Sequence, residues 1–281
     1  MPCQSAARAN VASPTAPVSQ AARRERDMIR YCRLAALAAL MVAPAGAQEP
    51  RAPRPVMVVV AHPDDELTMA PALAALARQG RMVTILFATT GDQGPGVTTR
   101  ERGAELGAVR RADAECSARA LGAQVRFLEG LGDGTLAQSP QSPDAPARRF
   151  LAQFAQAYVD IEPELVLTWG PDGGYGHADH RMVSALVTET LQSLAPAYRP
   201  RLLYVGIPAG RLPPVPEMAG WAETDPKLLN ETLRYTPEDL EAAKAAVQCH
   251  VTQFDETMRG AMMPLFDATM WQGKVHFRPA F

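Results

Sequence analysis

Val56–Ala61 reads Val-Met-Val-Val-Val-Ala, with no polar residue in six. A strand with one wet face alternates polar and apolar side chains. A run with no polar member has to be covered on both faces. That requirement excludes a two-layer antiparallel sheet and calls for material above and below the strand. Leu67 to Gln79 then repeats apolar residues at helical spacing and stops at Gly80, a residue suited to ending a helix. Met82 to Ala88 is a second buried strand, Val125 to Leu128 a third, Glu164 to Trp169 a fourth and Leu202 to Ile207 a fifth. Helical patterns over Thr99 to Leu121, Ala147 to Asp160 and Ala178 to Leu194 separate them. Strands alternating with helices predict an α/β fold, a three-layer α/β/α sandwich with a mostly parallel, Rossmann-like sheet. Pro208 to Thr236 carries five Pro and little periodicity, which predicts a long surface excursion or lid. Pro237 to His250 reads as a helix, with Thr236 at the N-cap and Pro at the first helical position.

The first 47 residues do not belong to that pattern. A short basic stretch, Met28 to Arg33, precedes an apolar run, Leu34 to Val42, and the small-residue site Ala45-Gly46-Ala47. This order predicts a secretory signal peptide, with translation starting at Met1 or Met28. Residues 48–281 are expected to form a single domain, exported to the periplasm or beyond after cleavage near Ala47. Losing residues 1–47 removes six Arg and two acids, leaving 22 basic against 28 acidic residues. A net negative chain without a basic run is a poor candidate for nucleic acid or an anionic membrane. No window reaches the length of apolar sequence that a membrane span needs. Cys116 and Cys249 remain after cleavage. Buried free thiols are the plainest expectation, a disulfide is possible in an exported protein, and the absence of a Cys-x-x-Cys pair argues against a thiolate zinc site.

In parallel sheets ligands bind beyond the carboxyl ends of the strands. The polar, glycine-rich segments here all follow strands: His62 to Glu66, Thr90 to Asp92, Gly132 to Gly134 and Gly170 to His180. His62-Pro63-Asp64-Asp65-Glu66 sets three adjacent carboxylates beside one imidazole. One acid could cap the following helix, but three repel one another unless a cation sits among them. His177 and His180, with Asp179 between them, supply further ligand types. Imidazole and carboxylate donors suit Zn²⁺ or another divalent first-row metal. Spacing alone leaves open which histidine and which acid would bind it.

Together these segments resemble the PIG-L/LmbE family of metal-dependent N-acetylglucosaminyl deacetylases. The resemblance rests on Ala-His-Pro-Asp-Asp-Glu at 61–66 and Gly-His-Ala-Asp-His at 176–180. Further support comes from Thr-Thr-Gly-Asp-Gln-Gly at 89–94, the helix from Arg110 to Gly122, Gly-Asp-Gly-Thr-Leu at 132–136, and the element from Lys244 to Gln253. Asp113 stands where the family carries Glu, and Thr252 where it carries Ser. The resemblance implies His62, Asp65 and His180 as metal ligands and Asp64 as general base. It implies His177 as oxyanion stabiliser or proton donor, with Tyr175 at the same carbonyl. Asp179 would orient a histidine, and Arg110 and Asp133 would contact sugar hydroxyls, with ion pairing as their competing role. Glu66 is expected to cap the helix. His250 is expected to be structural, and His276 is given no role.

These features predict a zinc-dependent hydrolase that removes an N-acetyl or other N-acyl group from a small-molecule or oligosaccharide amino sugar. A metal phosphoesterase and a non-catalytic carbohydrate-binding protein are the alternatives. The residues identify neither the particular sugar nor the oligomeric state.

Overall fold

A computed structural model describes residues 54–281, so the predicted leader lies outside the described residues. Five strands run parallel: β1 (Val56–Val60), β2 (Val83–Phe87), β3 (Gln124–Phe127), β4 (Leu165–Trp169) and β5 (Arg201–Val205). Two more extend the sheet antiparallel, β6 (Glu231–Arg234) and β7 (Lys274–Pro279), giving the order β3-β2-β1-β4-β5-β7-β6. Six helices connect them: α1 (Ala70–Arg78), α2 (Ala104–Ala120), α3 (Pro146–Ile161), α4 (Ala178–Gln192), α5 (Pro237–Gln248) and α6 (Glu256–Phe266).

The unbroken aliphatic run of β1 is buried on both faces, as its composition requires. Val56, Val58 and Val60 pack into a core with side chains of α1, α2, α5 and α6. Met57 and Val59 point the other way, into a second core with Phe150 and Phe154 of α3 and Val183 and Val187 of α4. The three-layer α/β/α architecture is therefore present. The strand order reverses between β1 and β4, so the connections leaving them diverge and open a crevice at their carboxyl ends.

Several local expectations change. The first helix does not begin at Leu67. Asp65–Thr68 forms a separate 3₁₀ turn, and α1 starts at Ala70 with Pro in its first turn. The second helix begins at Ala104 rather than Thr99, after Gly103 at φ 117°. The segment 208–236 is not a featureless excursion. It ends in β6 and buries Met218 and Leu229. Neither β7 nor α6 was anticipated. Thr236 does cap α5, through a reciprocal pair in which its hydroxyl accepts from the Asp239 backbone and Asp239 accepts from the Thr236 backbone.

The free-thiol expectation is overturned. Cys116 and Cys249 are half-buried and joined in a disulfide, with Cα atoms 5.7 Å apart. The bridge ties α2 to the end of α5. Both cysteines sit next to residues that hold the buried Glu66, Ser117 and His250.

Candidate active site

The crevice is built by two loops. After β1 the chain turns sharply, and Asp64 adopts φ 105°, a left-handed conformation that costs about 1–3 kcal/mol in a residue with a Cβ. Its side chain caps nothing. The backbone N–H of Asp64 instead donates to Glu66 Oε2 at 2.9 Å, which holds the turn. Asp65 Oδ2 folds back to accept from the N–H groups of Ala61 and His62, each at 2.9 Å. The two adjacent acids therefore point to different places.

The second loop brings His180 to Asp65. His180 Nε2 lies 3.0 Å from Asp65 Oδ1 and 3.2 Å from His62 Nδ1. His180 Nδ1 sits 3.1 Å from the Gly173 carbonyl, so the proton on that nitrogen is committed and Nε2 is left as a bare lone pair. Two ring nitrogens and a carboxylate oxygen then face one another across about a ligand–ligand distance. With His62 neutral, that arrangement is repulsive unless a cation lies among them, and a divalent ion fits the donor set. His62, His177 and His180 also converge closely enough to share an ion, as do His62, Asp133 and Asp179. Trp169, at the end of β4, stacks on the His180 ring at 5.0 Å and closes it off from the core side.

Asp133 and Asp179 flank His62. Asp133 Oδ1 lies 3.0 Å and Asp179 Oδ2 3.4 Å from His62 Nε2, though neither lies along the N–H direction. Asp179 is fully buried and accepts from the backbone N–H groups of Gly134 and Leu136, so it locks the loop after β3 against α4. Burial lowers the basicity of His62, but the neighbouring carboxylates of Asp133, Asp179 and Asp65 outweigh it and raise its pKa to about 10. Asp65 is pushed in the opposite direction: burial opposes its charge, and His180 and His62 hold it well below the usual carboxylate range.

Asp64 faces the opening with its side chain partly exposed. Burial raises its carboxyl to about 6, against the opposing pull of Arg110. Arg110 donates to Asp64 Oδ2 at 3.1 Å and to the carbonyls of Pro63 and Gly91 at 2.6 and 2.7 Å. It is buried, 3% exposed, and its geometry is that of the ion-pairing alternative rather than of a sugar contact. Gly91 is required for this approach: φ is +66°, and a Cβ there would sit 2.3 Å from the guanidinium. Asp133 likewise lies against His62 instead of standing free for a hydroxyl.

His177 is the N-cap of α4. Its Nδ1 accepts from the Asp179 backbone N–H at 3.2 Å, leaving Nε2 to carry the proton. Burial, then His62 and His180, lower its pKa. The Tyr175 ring stands edge-on to His180 at 5.2 Å and is half exposed at the mouth. Burial and the nearby Asp65 and Asp64 raise its pKa, so it stays a neutral donor.

Glu66 does not cap the helix either. It is completely buried, and its Oε1 accepts from Ser117 Oγ at 2.6 Å and pairs with His250 Nε2 at 2.7 Å. His250 lies outside the metal cluster, in the structural place expected for it. Burial opposes the charge of each partner, but the pairing lowers Glu66 and raises His250. The two departures from the family pattern meet each other: Thr252 Oγ1 donates to Asp113 Oδ2 at 2.7 Å. Sequence reasoning missed Trp169, Trp221 and the apolar face of α6, which line the crevice. A Met-rich repeat after the N-cap Asp255 was the available signal.

Residues 57–191 match the family model described as PIG-L, GlcNAc-PI de-N-acetylase. A 1D-myo-inositol 2-acetamido-2-deoxy-alpha-D-glucopyranoside deacetylase of Rhodococcus erythropolis is 34% identical over 163 residues, covering 52% of this chain and 55% of the relative. The chain thus spans about half the length of the curated relatives it matches. Among solved structures, N,N'-diacetylchitobiose deacetylase from Pyrococcus horikoshii has a TM-score of 0.60 at 18% identity, covering 94% of each chain. The 4-carboxy-2-hydroxymuconate hydratase GalB from Pseudomonas putida has a TM-score of 0.59 at 20% identity, covering 81% of this chain and 96% of its own. At those identities the structures speak for the fold alone. The matched residues take in the β1 motif, the β4 motif and the helices between them.

Proposed function

We propose that this protein is a divalent-metal-dependent amidase that removes an N-acetyl or other N-acyl group from an amino sugar or its conjugate, outside the cytoplasm. The observation that carries the reading is the convergence of His62 Nδ1, Asp65 Oδ1 and His180 Nε2 beside a partly exposed, left-handed Asp64. The names of the relatives, all deacetylases of acetamido sugars among the curated matches above, support it. The disulfide supports an oxidising compartment.

A divalent ion held by those three residues would polarise the amide carbonyl and make a water acidic near neutral pH. Zinc suits two imidazoles and a carboxylate, and other first-row ions compete for the same donors. The chain supplies the rest. Arg110 holds Asp64 Oδ2, which leaves Oδ1 to take the proton from the attacking water and return it to the departing amine. With its carboxyl near 6, Asp64 is ionised yet basic enough to do so at neutral pH. His177 Nε2–H, fixed by the Asp179 backbone, is placed as a hydrogen-bond donor to the developing oxyanion. This geometry favours that role over protonating the amine. Tyr175 O–H is a second donor at the mouth. The products are a free amine and a carboxylate.

Arg110 is committed to three carbonyls and Asp64, so it is not free to clamp a phosphoryl group. A strained residue kept at the proposed base position also argues against a retired binding fold.

The test is mass spectrometry of the mature protein, stripped and reloaded with Zn²⁺, Mn²⁺ or Co²⁺, against N-acetylglucosamine derivatives and oligosaccharides. Metal-dependent loss of an acetyl mass is expected. Failure to bind any ion, together with no amide cleaved, would overturn the reading.

A further inference from the structure

The crevice has two unlike sides. Over β2 and β3 the loops are polar: Asp133 N–H donates to Asp92 Oδ1, and Gln93 N–H to Asp133 Oδ2. On the other side a cavity of about 320 Å³ opens from Asp64 and Asp65. Its walls are apolar. Trp169 and Trp221 stand on one side, and Phe254, Met258, Met262 and Leu265 on the other. The last three recur along α6 at the spacing of one helix face, all half-buried. Of the polar liners, Thr68 Oγ1 already donates to the Asp65 carbonyl, Glu217 is exposed at the rim, Tyr175 stands at the mouth, and Trp169 Nε1 has no hydrogen-bond partner among the described residues.

We infer that this cavity receives the acyl chain of the substrate, and that the preferred substrates carry linear N-acyl groups much longer than acetyl. The inference rests on the amidase reading and names its substrate class. Three observations carry it. First, the cavity begins at the carboxylates that would act on the carbonyl, and the acyl chain is the part of the substrate bonded directly to that carbon. Secondly, a sugar placed there would find only the Tyr175 hydroxyl at the mouth and Trp169 Nε1–H for its several hydroxyls, whereas the polar loops lie on the opposite side. Thirdly, the size is wrong for acetyl. An acetyl methyl fills about the 30 Å³ of one water, so the cavity has room for on the order of ten carbons. Methionines on α6 suit a chain of variable length, because their thioether side chains repack easily.

The experiment compares N-acetyl-, N-butanoyl-, N-hexanoyl- and N-octanoylglucosamine on the metal-loaded mature protein. kcat/KM is expected to rise up to about fourfold per added methylene until the cavity fills. Ala261→Trp, on the exposed side of α6 where it borders the cavity, is expected to lower the octanoyl-to-acetyl ratio at least tenfold. A second arm does not depend on turnover. Octanoylglucosamine, but not acetylglucosamine, is expected to change the tryptophan fluorescence of the Asp64→Asn protein, through Trp169 and Trp221. A series in which acetyl is best overturns the inference. So does a series flat in acyl length but rising when the same alkyl chain is placed on the anomeric oxygen, which would give the cavity to the aglycone. Hydrolysis of acetyl without a gain for longer chains strikes this inference alone. No hydrolysis of any amide, with metal bound, strikes the amidase reading, and the fluorescence arm then still decides the cavity.

Discussion

His250→Ala is the perturbation that tests how the strained turn at Asp64 is maintained. His250 and Glu66 are both wholly buried and 2.7 Å apart. Removing one member of such a pair leaves a buried charge uncompensated, which typically costs about 3–5 kcal/mol. Glu66 would keep Ser117 Oγ and the Asp64 N–H, and it could relax by taking up a proton. The lower end of that range, about 3 kcal/mol, is therefore expected. The same substitution loosens the acceptor that holds Asp64 at φ 105°. A hydrogen bond to a charged group contributes about 1.5–3 kcal/mol, comparable to the cost of the left-handed backbone it offsets. Once Glu66 is free to move, Asp64 relaxes and kcat falls on the order of tenfold to a hundredfold, which is the rate equivalent of about 1.4–2.7 kcal/mol. Urea denaturation at neutral pH, with the slope shared between variants, reads the stability. Metal analysis and steady-state kinetics read the site. His250→Gln, which keeps a donor, is expected to recover part of both losses. Full stability in His250→Ala would refute the account of the pair. Loss of metal as complete as in His180→Ala would make His250 a ligand and refute its structural assignment.

Asp64→Asn should keep the metal and lose 10²–10⁴-fold in turnover; unchanged kcat would remove Asp64 as the base. His180→Ala should lose metal and activity together, measured by metal analysis after dialysis, and retained stoichiometric metal would shift the ligand role elsewhere. The disulfide closes a loop of sequence separation 133, so replacing Cys116 and Cys249 by Ala should lower stability by about 2–4 kcal/mol; a thermal melt insensitive to reductant would contradict the bridge. Asp239→Ala removes the N3 half of the capping box of α5 and should cost about 1 kcal/mol at pH 7. The Arg78 partner is well exposed, so the ion pair adds little. Arg78, followed by the Thr236 hydrogen bonds, holds the Asp239 carboxyl below its ordinary 3.8. Its contribution is thus complete above that value and disappears as pH falls through the lowered one, so wild-type and variant urea midpoints should converge in strong acid.

Much of the fold is written locally. Val56–Ala61 could become nothing but a doubly covered strand, because no register gives it a wet face. The helices other than α6 announced themselves by spacing and by Gly80, Gly122 and the Thr236 cap. Misreadings came where tertiary contacts outweigh local preference. The turn from Asp64 to Met69 looks helical by composition, but Asp65 and Glu66 are drawn aside to His180 and His250, and the chain is left in a 3₁₀ turn. β6, a four-residue edge strand, and β7, which lies between β5 and β6, were not visible because such strands take their stability from their neighbours rather than from their own pattern.

The candidate site divides along the same line. Residue type and placement after strands were enough to single out His62, Asp64, Asp65, His177 and His180, since adjacent acids and imidazoles at a sheet edge need a cation. Their division of labour was not in the pattern. That Asp65 turns toward His180 while Asp64 turns to the opening depends on a backbone φ and two hydrogen bonds. Arg110 and Asp133 turned inward because the guanidinium found three carbonyls and the carboxylate found His62. The pairing of Cys116 with Cys249 and of Asp113 with Thr252 joins residues more than a hundred positions apart. Only the packing of α2 against α5 brings them within reach, and no sequence spacing encodes that distance.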